Sequence, residues 1–431
     1  MKKEMKDSGV AWIGKIPENW EIGKVKYYYK MQTGFTPDTK NEAYYSDNGT
    51  DWITIGDLDG TRNIPDNTNK KISSTYIDIF QPQLTPRGSL LYTFKLSVGQ
   101  VAFTTREVYT NEAIASFLPD KGICLKFLFY SSSMIIENAN TNIYGAKLLN
   151  QELIKNALIV YPPLENQETI STFLDTKCAQ IDYLISNNES QIEKLKQFKQ
   201  SLITEVVTKG LDKTVPMKDS GVEWIGEIAY NFNIYKLKFL LNSPMQYGAN
   251  ESGEKMVEDT VRYIRITDIT TDGLLKDDEN NQYLSTALAV PYLLKDKDVL
   301  FARSGGTVGK TFLYRKIYGK SAFAGYLIKA ECNKEKLLPE YLVYYTQSSL
   351  YEIWKNMMFI QATIQNIGAN KYSNMEIPIP ELKIQTDLIE YLDTKCSQID
   401  RLIALKQAKI EKLTDYKKSL IYEYVTGKKQ V

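Results

Sequence analysis

From Gln167 to Thr208 the chain carries neither proline nor glycine, and apolar side chains stand at Leu174, Ile181, Leu184, Ile185, Ile192, Leu195, Phe198 and Leu202. Steps of three, four and seven gather these positions on one face of a helix. The pattern returns at Leu392, Ile399, Leu402, Ile403, Ile410, Leu413, Tyr416 and Leu420. Pro162 and Pro163 precede the first run and Pro378 and Pro380 the second. Glu165 and Glu168 suit the positive end of the first helix dipole, and Gly210 and Gly427 mark the ends. Two helices of roughly 40 residues are predicted, each about 60 Å long at about 1.5 Å per residue. A lone helix of that length cannot bury its apolar stripe, so the two should pack on each other or on partner helices. The candidate partner-binding residues are Leu174, Ile181, Ile192, Leu195 and Leu202 on the first helix, and Leu392, Ile399, Ile410, Leu413 and Leu420 on the second.

Elsewhere the pattern shortens. Runs such as WITIGDLDG, SLLYTFKLSVGQVAF and DVLFARSGGTVGKTFLYR mix β-branched and aromatic residues with turn signals, which predicts mixed α/β globules. The expected organisation is a globule over residues 1–160, a helical spacer over 164–210, a second globule over 218–377 and a second spacer over 381–427.

This organisation is written twice. KDSGVAWIGKI from Lys6 returns as KDSGVEWIGEI from Lys218, with Lys24 and Lys26 echoed by Lys236 and Lys238. QETISTFLDTKCAQIDYLI from Gln167 returns as QTDLIEYLDTKCSQIDRLI from Gln385, and IEKLKQFKQSLITEVVT from Ile192 as IEKLTDYKKSLIYEYVT from Ile410. A repeat of this kind governs every other assignment. Between the matches the halves are much less alike, so each has a common frame and a private middle. Because the Lys218 segment follows the first helix directly, a pseudo-two-fold relation brings the Lys6 segment to the end of the second. The expected fold is α+β, with two mixed α/β globules separated by two long antiparallel coiled-coil helices in a nearly circular arrangement.

The charge balance, 53 Lys plus Arg against 52 Asp plus Glu, gives a net charge of +1 and no global attraction to a polyanion, so any nucleic-acid site must be a local patch. The start lacks the apolar stretch of a secretory signal and no long apolar run occurs, so a cytoplasmic protein without a membrane partner is expected. The four cysteines form no C-x-x-C pair and read as free thiols. The chain has no histidine, which excludes His-dependent hydrolase triads, H-E-x-x-H metalloproteases and zinc deaminases.

Two stretches imitate enzyme motifs. Ser304-Gly305-Gly306-Thr307-Val308-Gly309-Lys310-Thr311 ends like a P-loop, but Ser304 stands where the motif requires glycine. A polar, glycine-rich loop carrying Arg303 and Lys310 suits a phosphate backbone or a base edge instead. Asp-Thr-Lys at Asp175 and Asp393 ends like a nuclease signature, yet residues two apart on a helix point different ways and cannot share a metal. No catalytic or metal-binding residue is assigned. The readings left open are a non-catalytic subunit that meets nucleic acid through a local patch, an independent nucleotide hydrolase or nuclease, and a coiled-coil scaffold that never touches DNA.

With the duplicated KDSGV-x-W-I-G-x-I, the Ile377-Pro378-Ile379-Pro380 to Gln385 approach to the second helix and the paired IEKL helices, the sequence resembles the specificity subunits of type I restriction-modification enzymes. The resemblance covers essentially the whole chain. Gly34-Phe35-Thr36-Pro37 is similar to the family's G-G-T-P, and the loop from Arg303 to Lys310 to its R-S-G-x-T-V-G-K. In the first half, Thr93 and Phe94 stand where Arg303 and Ser304 do.

The resemblance implies two target-recognition domains, double-stranded DNA as ligand, two methyltransferase subunits docked through surfaces that include the helices, and restriction subunits joining as motor-nucleases. S-adenosylmethionine, ATP and Mg²⁺ would be used by those partner subunits and not by this chain. Two unlike middles imply an asymmetric, bipartite target, with the helices as a ruler capping the half-site separation at roughly 18 base pairs. The candidate DNA-contacting residues are Thr33, Thr36, Lys95 and Ser97 in the first globule, and Tyr247, Asn250, Arg303, Ser304, Thr307 and Lys310 in the second.

Overall fold

The computed structural model describes residues 4–95, 97–141, 147–270, 273–360 and 366–431. Its longest elements are helix α1, Leu164–Lys209, and helix α2, Leu382–Val425. By internal contacts the chain divides into two units, Met1–Asn187 with Lys409–Val431, and Asn188–Ala408. Each unit therefore owns half of either helix.

The helix halves run antiparallel inside each unit. In the first, Phe173 packs on Tyr424 with ring centroids 4.5 Å apart, and Asp182 pairs with Lys417 at 2.6 Å. In the second, the Lys406 ammonium donates to Gln191, and Lys199 pairs with Asp400 at 2.7 Å. Positions rise on α1 as they fall on α2. The Asp182–Lys417 and Asp400–Lys199 pairs are copies of one contact, since the helix repeat that sets Leu174 beside Leu392 also sets Asp182 beside Asp400 and Lys199 beside Lys417.

The stripe closes on its own globule. Leu174, Ile181 and Leu420 are buried in the first unit's core among Ile13, Ile16 and Phe127, with Leu413 partly buried against it. Leu392 is buried in the second unit's core with Ile203, Val206 and Tyr341, and Leu202 packs against that core. Ile192 and Ile399 are also buried, and Leu195 and Ile410 are half-buried. The expectation that these ten residues bind partners is corrected for Leu174, Ile181, Ile192, Leu392, Ile399 and Leu420. Their side chains are already out of water inside the chain, and exposing them to a partner would forfeit that burial.

The repeated sequence signatures have repeated structural reasons. In KDSGV, the Asp7 carboxylate accepts from the Gly9 N–H at 2.9 Å and the Ser8 hydroxyl from the Val10 N–H at 3.1 Å. Asp219 and Ser220 do the same for Gly221 and Val222, at 2.9 and 3.1 Å. These side chains build the tip of a hairpin, Met5–Asp7 with Lys15–Pro17, and Met217–Asp219 with Glu227–Ala229. Each helix stops at a glycine in the left-handed region, Gly210 at φ 70° and Gly427 at φ 71°. At Gly427 a β-carbon would come within 2.4 Å of Pro17, so only glycine lets the end of α2 meet the amino-terminal hairpin. The Tyr422 hydroxyl seals that meeting by donating to the Trp12 carbonyl at 2.7 Å. The buried Gln167 and Gln385 tie each helix start to its proline segment, donating to Pro162 at 2.7 Å and to Pro380 at 2.9 Å.

Each unit also holds one four-stranded sheet of the same order. In the first, β1 (Met31–Thr33), β2 (Leu90–Thr93), β3 (Val101–Phe103) and β4 (Ile114–Phe117) lie as β1-β4-β2-β3. In the second, β5 (Gln246–Tyr247), β6 (Val299–Ala302), β7 (Thr311–Leu313) and β8 (Leu327–Ala330) lie as β5-β8-β6-β7. The private middles are therefore variants of one scaffold. No helix among the described residues is long and apolar enough to cross a membrane.

Candidate nucleic-acid interface

Strand register fixes which residues share an edge. In the first unit Thr33 and Ile114–Ala115 are neighbours, and Thr93 lies opposite Ile114. The ends of β1 and β2 and the start of β4 thus meet at one edge of the sheet. Tyr247 opposite Ile328 and Ala302 opposite Leu327 repeat the arrangement in the second unit. The strand ends at this edge carry Thr33 and Tyr247, and the loops that follow carry the other candidate DNA-contacting residues.

The register also corrects the alignment of the halves. Thr93 corresponds to Ala302, and Phe94, whose N–H reaches the Ala113 carbonyl, corresponds to Arg303, whose N–H reaches that of Tyr326; both bonds are 3.0 Å. Phe94 is buried, so the first unit has an apolar plug where the second has a guanidinium. Tyr247 corresponds to Thr33 and Asn250 to Thr36.

In the first unit the loops converge on an acid. The Thr36 hydroxyl donates to the Glu112 carboxylate, and the Lys95 ammonium lies 3.9 Å from it. Thr33 stands apart, its hydroxyl accepting from Gln151 at 2.8 Å. Ser97 is exposed, and its carbonyl accepts from the Thr93 hydroxyl. Leu96 lies outside the described residues. Thr36, Lys95 and Glu112 form a half-exposed polar triad that offers both a cation and an acceptor.

In the second unit the Arg303 guanidinium lies 4.8 Å from the centroid of the Tyr247 ring. That ring faces a cation it attracts, while the tyrosine hydroxyl accepts from the Ala369 N–H at 2.9 Å and holds the ring in place. Ser304 pairs with Asn366 in an isolated bridge. Among the described residues, Arg303 Nε and Asn366 Oδ1 are buried atoms without a hydrogen-bond partner, so one donor and one acceptor beside this bridge are left unsatisfied.

The loop of Gly305–Thr307 is a single 3₁₀ turn that leads through Lys310 into β7 and closes a hairpin, with the Ala302 N–H donating to the Lys310 carbonyl at 2.8 Å. A P-loop opens a helix, and this loop does not. Two buried tyrosines brace it from below: Tyr351 donates to Gly309 at 2.6 Å and Tyr372 to Ala302 at 2.9 Å. Burial pushes both phenols well above their ordinary range, so each remains a donor. Asn250 is exposed on the neighbouring loop, where its side chain closes on Gly325.

Sequence reasoning missed Glu112 and Tyr326. Tyr326 is 62% exposed and sits beside Arg303 at the start of β8. Both precede the third strand of the shared edge, where register sets Glu112 level with Gly325 and Tyr326 level with Ala113.

On the helices, four apolar positions of the repeated stripe are exposed, in two matching pairs. Leu184 and Tyr416 flank the Asp182–Lys417 pair, and Leu402 and Phe198 flank Asp400–Lys199. Each unit therefore presents one aliphatic and one aromatic side chain at equivalent positions.

Comparison with known proteins gives a consistent family. The model of the "Type I restriction modification DNA specificity domain" matches residues 17–197 and 232–415. The MjaVIII specificity subunit of Methanocaldococcus jannaschii, a type I restriction enzyme subunit, is 24% identical, with 97% of this chain and 94% of that one covered. The EcoBI specificity subunit of Escherichia coli is 23% identical over 64% of this chain and 60% of its own. Among solved structures, a chain from work on complex assembly and conformational transition of the type I R-M system superposes with a TM-score of 0.71 at 15% identity, covering 96% of this chain and 99% of its own. The HsdS subunit from Thermoanaerobacter tengcongensis gives 0.50 at 14% identity, covering 96% and 98%.

Proposed function

The chain belongs to the type I restriction modification DNA specificity family, and on that premise we propose that it reads an asymmetric, bipartite DNA target and positions the methyltransferase and restriction subunits that act there. The observation that carries this reading is the pair of sheets with one strand order and different chemistry at the same edge. A shared scaffold presents each set of loops to the same kind of ligand, and the change from Phe94 to Arg303 makes the two readings differ. Backbone contacts by Lys95, Lys310 and the loop hydroxyls set register, and side chains at the edge read bases in the major groove. Arg303 is the base reader of the second globule. Its guanidinium, oriented by Tyr247, has the forked donors that match the O6 and N7 acceptors of guanine.

Two methyltransferase subunits dock on the helices, one at Leu184 and Tyr416 and one at Leu402 and Phe198, because equal partners require equal surfaces. The chain itself is non-catalytic, and S-adenosylmethionine, ATP and Mg²⁺ belong to its partners. The test is reconstitution. Purified chain mixed with its methyltransferase subunits and S-adenosylmethionine should methylate adenine at a bipartite site, while either component alone should not. Methylation by this chain alone, or no sequence-dependent binding with partners present, would overturn the proposal.

A further inference from the structure

The repeated Asp-Thr-Lys tripeptide is not used by any of the contacts above. In the first unit Asp175 receives three groups from the globule. The Tyr130 hydroxyl and the Arg62 guanidinium each donate to Oδ1 at 2.6 Å, and the Lys126 ammonium lies 3.7 Å from Oδ2. In the second unit the Tyr344 hydroxyl donates to Asp393 in the same way. Tyr130 and Tyr344 both lie on short helices that follow the sheet, Leu125–Ser131 and Pro339–Tyr345. One bond between globule and long helix is thus kept in both units, at a tripeptide that the two halves share.

Arg62 gives the first joint a second donor. Its own backbone extends the sheet, with the Phe103 N–H donating to the Arg62 carbonyl at 2.8 Å and the Ile64 N–H to the Phe103 carbonyl at 3.0 Å. Its guanidinium lies 5.9 Å from the ring centroid of Phe103 and 5.4 Å from that of Phe129, and these rings stack on each other. One side chain therefore joins the edge of the sheet, an aromatic pair and α1. Burial raises the pKa of Asp175, but the hydrogen bonds from Arg62 and Tyr130 outweigh it and hold the carboxyl below the ordinary range.

We propose that Asp175 and Asp393 are the joints that register each recognition globule on its helix, and that Arg62 locks the first joint, whereas among the described residues the second is held by its tyrosine. Arg62, Tyr130, Asp175, Tyr344 and Asp393 are positioning residues and touch no DNA. The inference rests on the proposed reading of a bipartite target for its consequence, and on the contacts alone for its geometry. A locked joint holds the first half-site at one distance and phase from the second, so loss of Arg62 should widen the range of gaps accepted without changing the bases read.

The experiment uses the full chain carrying Arg62→Met, with Arg62→Lys and Asp175→Asn beside it, and has two readouts. Hydrogen exchange of the chain alone should quicken in residues 59–65 and 101–103 of Arg62→Met while the second unit stays unchanged. In the complex with methyltransferase subunits, a DNA library with the gap varied by single base pairs should show discrimination against the wrong gap falling roughly tenfold, the factor one charge-assisted hydrogen bond supplies. Arg62→Lys should restore part of both effects, and Asp175→Asn should reproduce both. Unchanged exchange would overturn the joint whether or not the chain reads DNA, and faster exchange with an equally sharp gap profile would overturn its positioning role. If the wild-type complex methylates no bipartite site, the functional reading falls and the exchange result alone judges the joint.

Discussion

Truncating Leu174 or Leu392 to alanine separates a helix stripe that faces inward from one that faces a partner. Both side chains are fully buried, in different cores. Each truncation should remove about 2–5 kcal/mol of stability, the transfer term plus the cavity left behind. Because the two sites share no neighbours, the double variant should lose the sum to within about 0.5 kcal/mol. Either loss is a large fraction of the roughly 5–15 kcal/mol that holds an ordinary domain together. Urea unfolding of the isolated chain measures the effect, and hydrogen exchange resolved to each unit assigns it. Leu174→Ala should loosen the first unit and Leu392→Ala the second. The counterpart is Leu402→Ala or Tyr416→Ala, at positions 48% and 55% exposed. These should leave the isolated chain within about 0.5 kcal/mol of wild type and weaken docking of methyltransferase subunits roughly tenfold. If Leu174→Ala and Leu392→Ala instead left stability intact and abolished docking, the inward-facing stripe would be refuted.

Inserting four residues into the 185–200 stretch of α1, one turn or about 6 Å, should lengthen the gap in the target by about one or two base pairs and leave both half-sites unchanged, as read by methylation of a gap library. Arg303→Met should relax the requirement for one base in the second half-site by about 1–3 kcal/mol and leave the first untouched. Asp175 has a folded-state pKa below its unfolded value. Its stabilising contribution is therefore complete above the unfolded value near 3.9 and is lost as pH falls through the folded one. The stability gap between wild type and Asp175→Asn should be flat at neutral pH and close below about pH 4 in acid-unfolding curves.

Period and repeat made the helices legible, because an uninterrupted step of three and four has one structural meaning. The antiparallel pairing and the return of the Lys6 segment to the end of α2 followed from the repeat alone. The direction of the stripe did not, since a sequence shows that Leu174 must be buried and not by which neighbour. The shared sheet edge was half legible. Arg303 and Lys310 announced themselves on a glycine-rich loop, whereas Glu112 and Tyr326 sit in strand-like runs whose place at the edge depends on pairing with residues far along the chain. The shift from Thr93 to Phe94 as the counterpart of Arg303 is the same problem, because register across a sheet is set by hydrogen bonds and not by spacing. Asp175 and Asp393 looked like a broken nuclease motif because their partners, Tyr130 and Tyr344, come from another element.

Sequencing the methylated adenines of host DNA with and without this chain tests the central claim most directly. The account predicts that one bipartite motif with two unlike halves loses its methylation when the chain is removed, and that exchanging residues 218–377 for those of a relative changes one half of the motif only. An unchanged methylation pattern on removal, or both halves changing with the exchange, would contradict it.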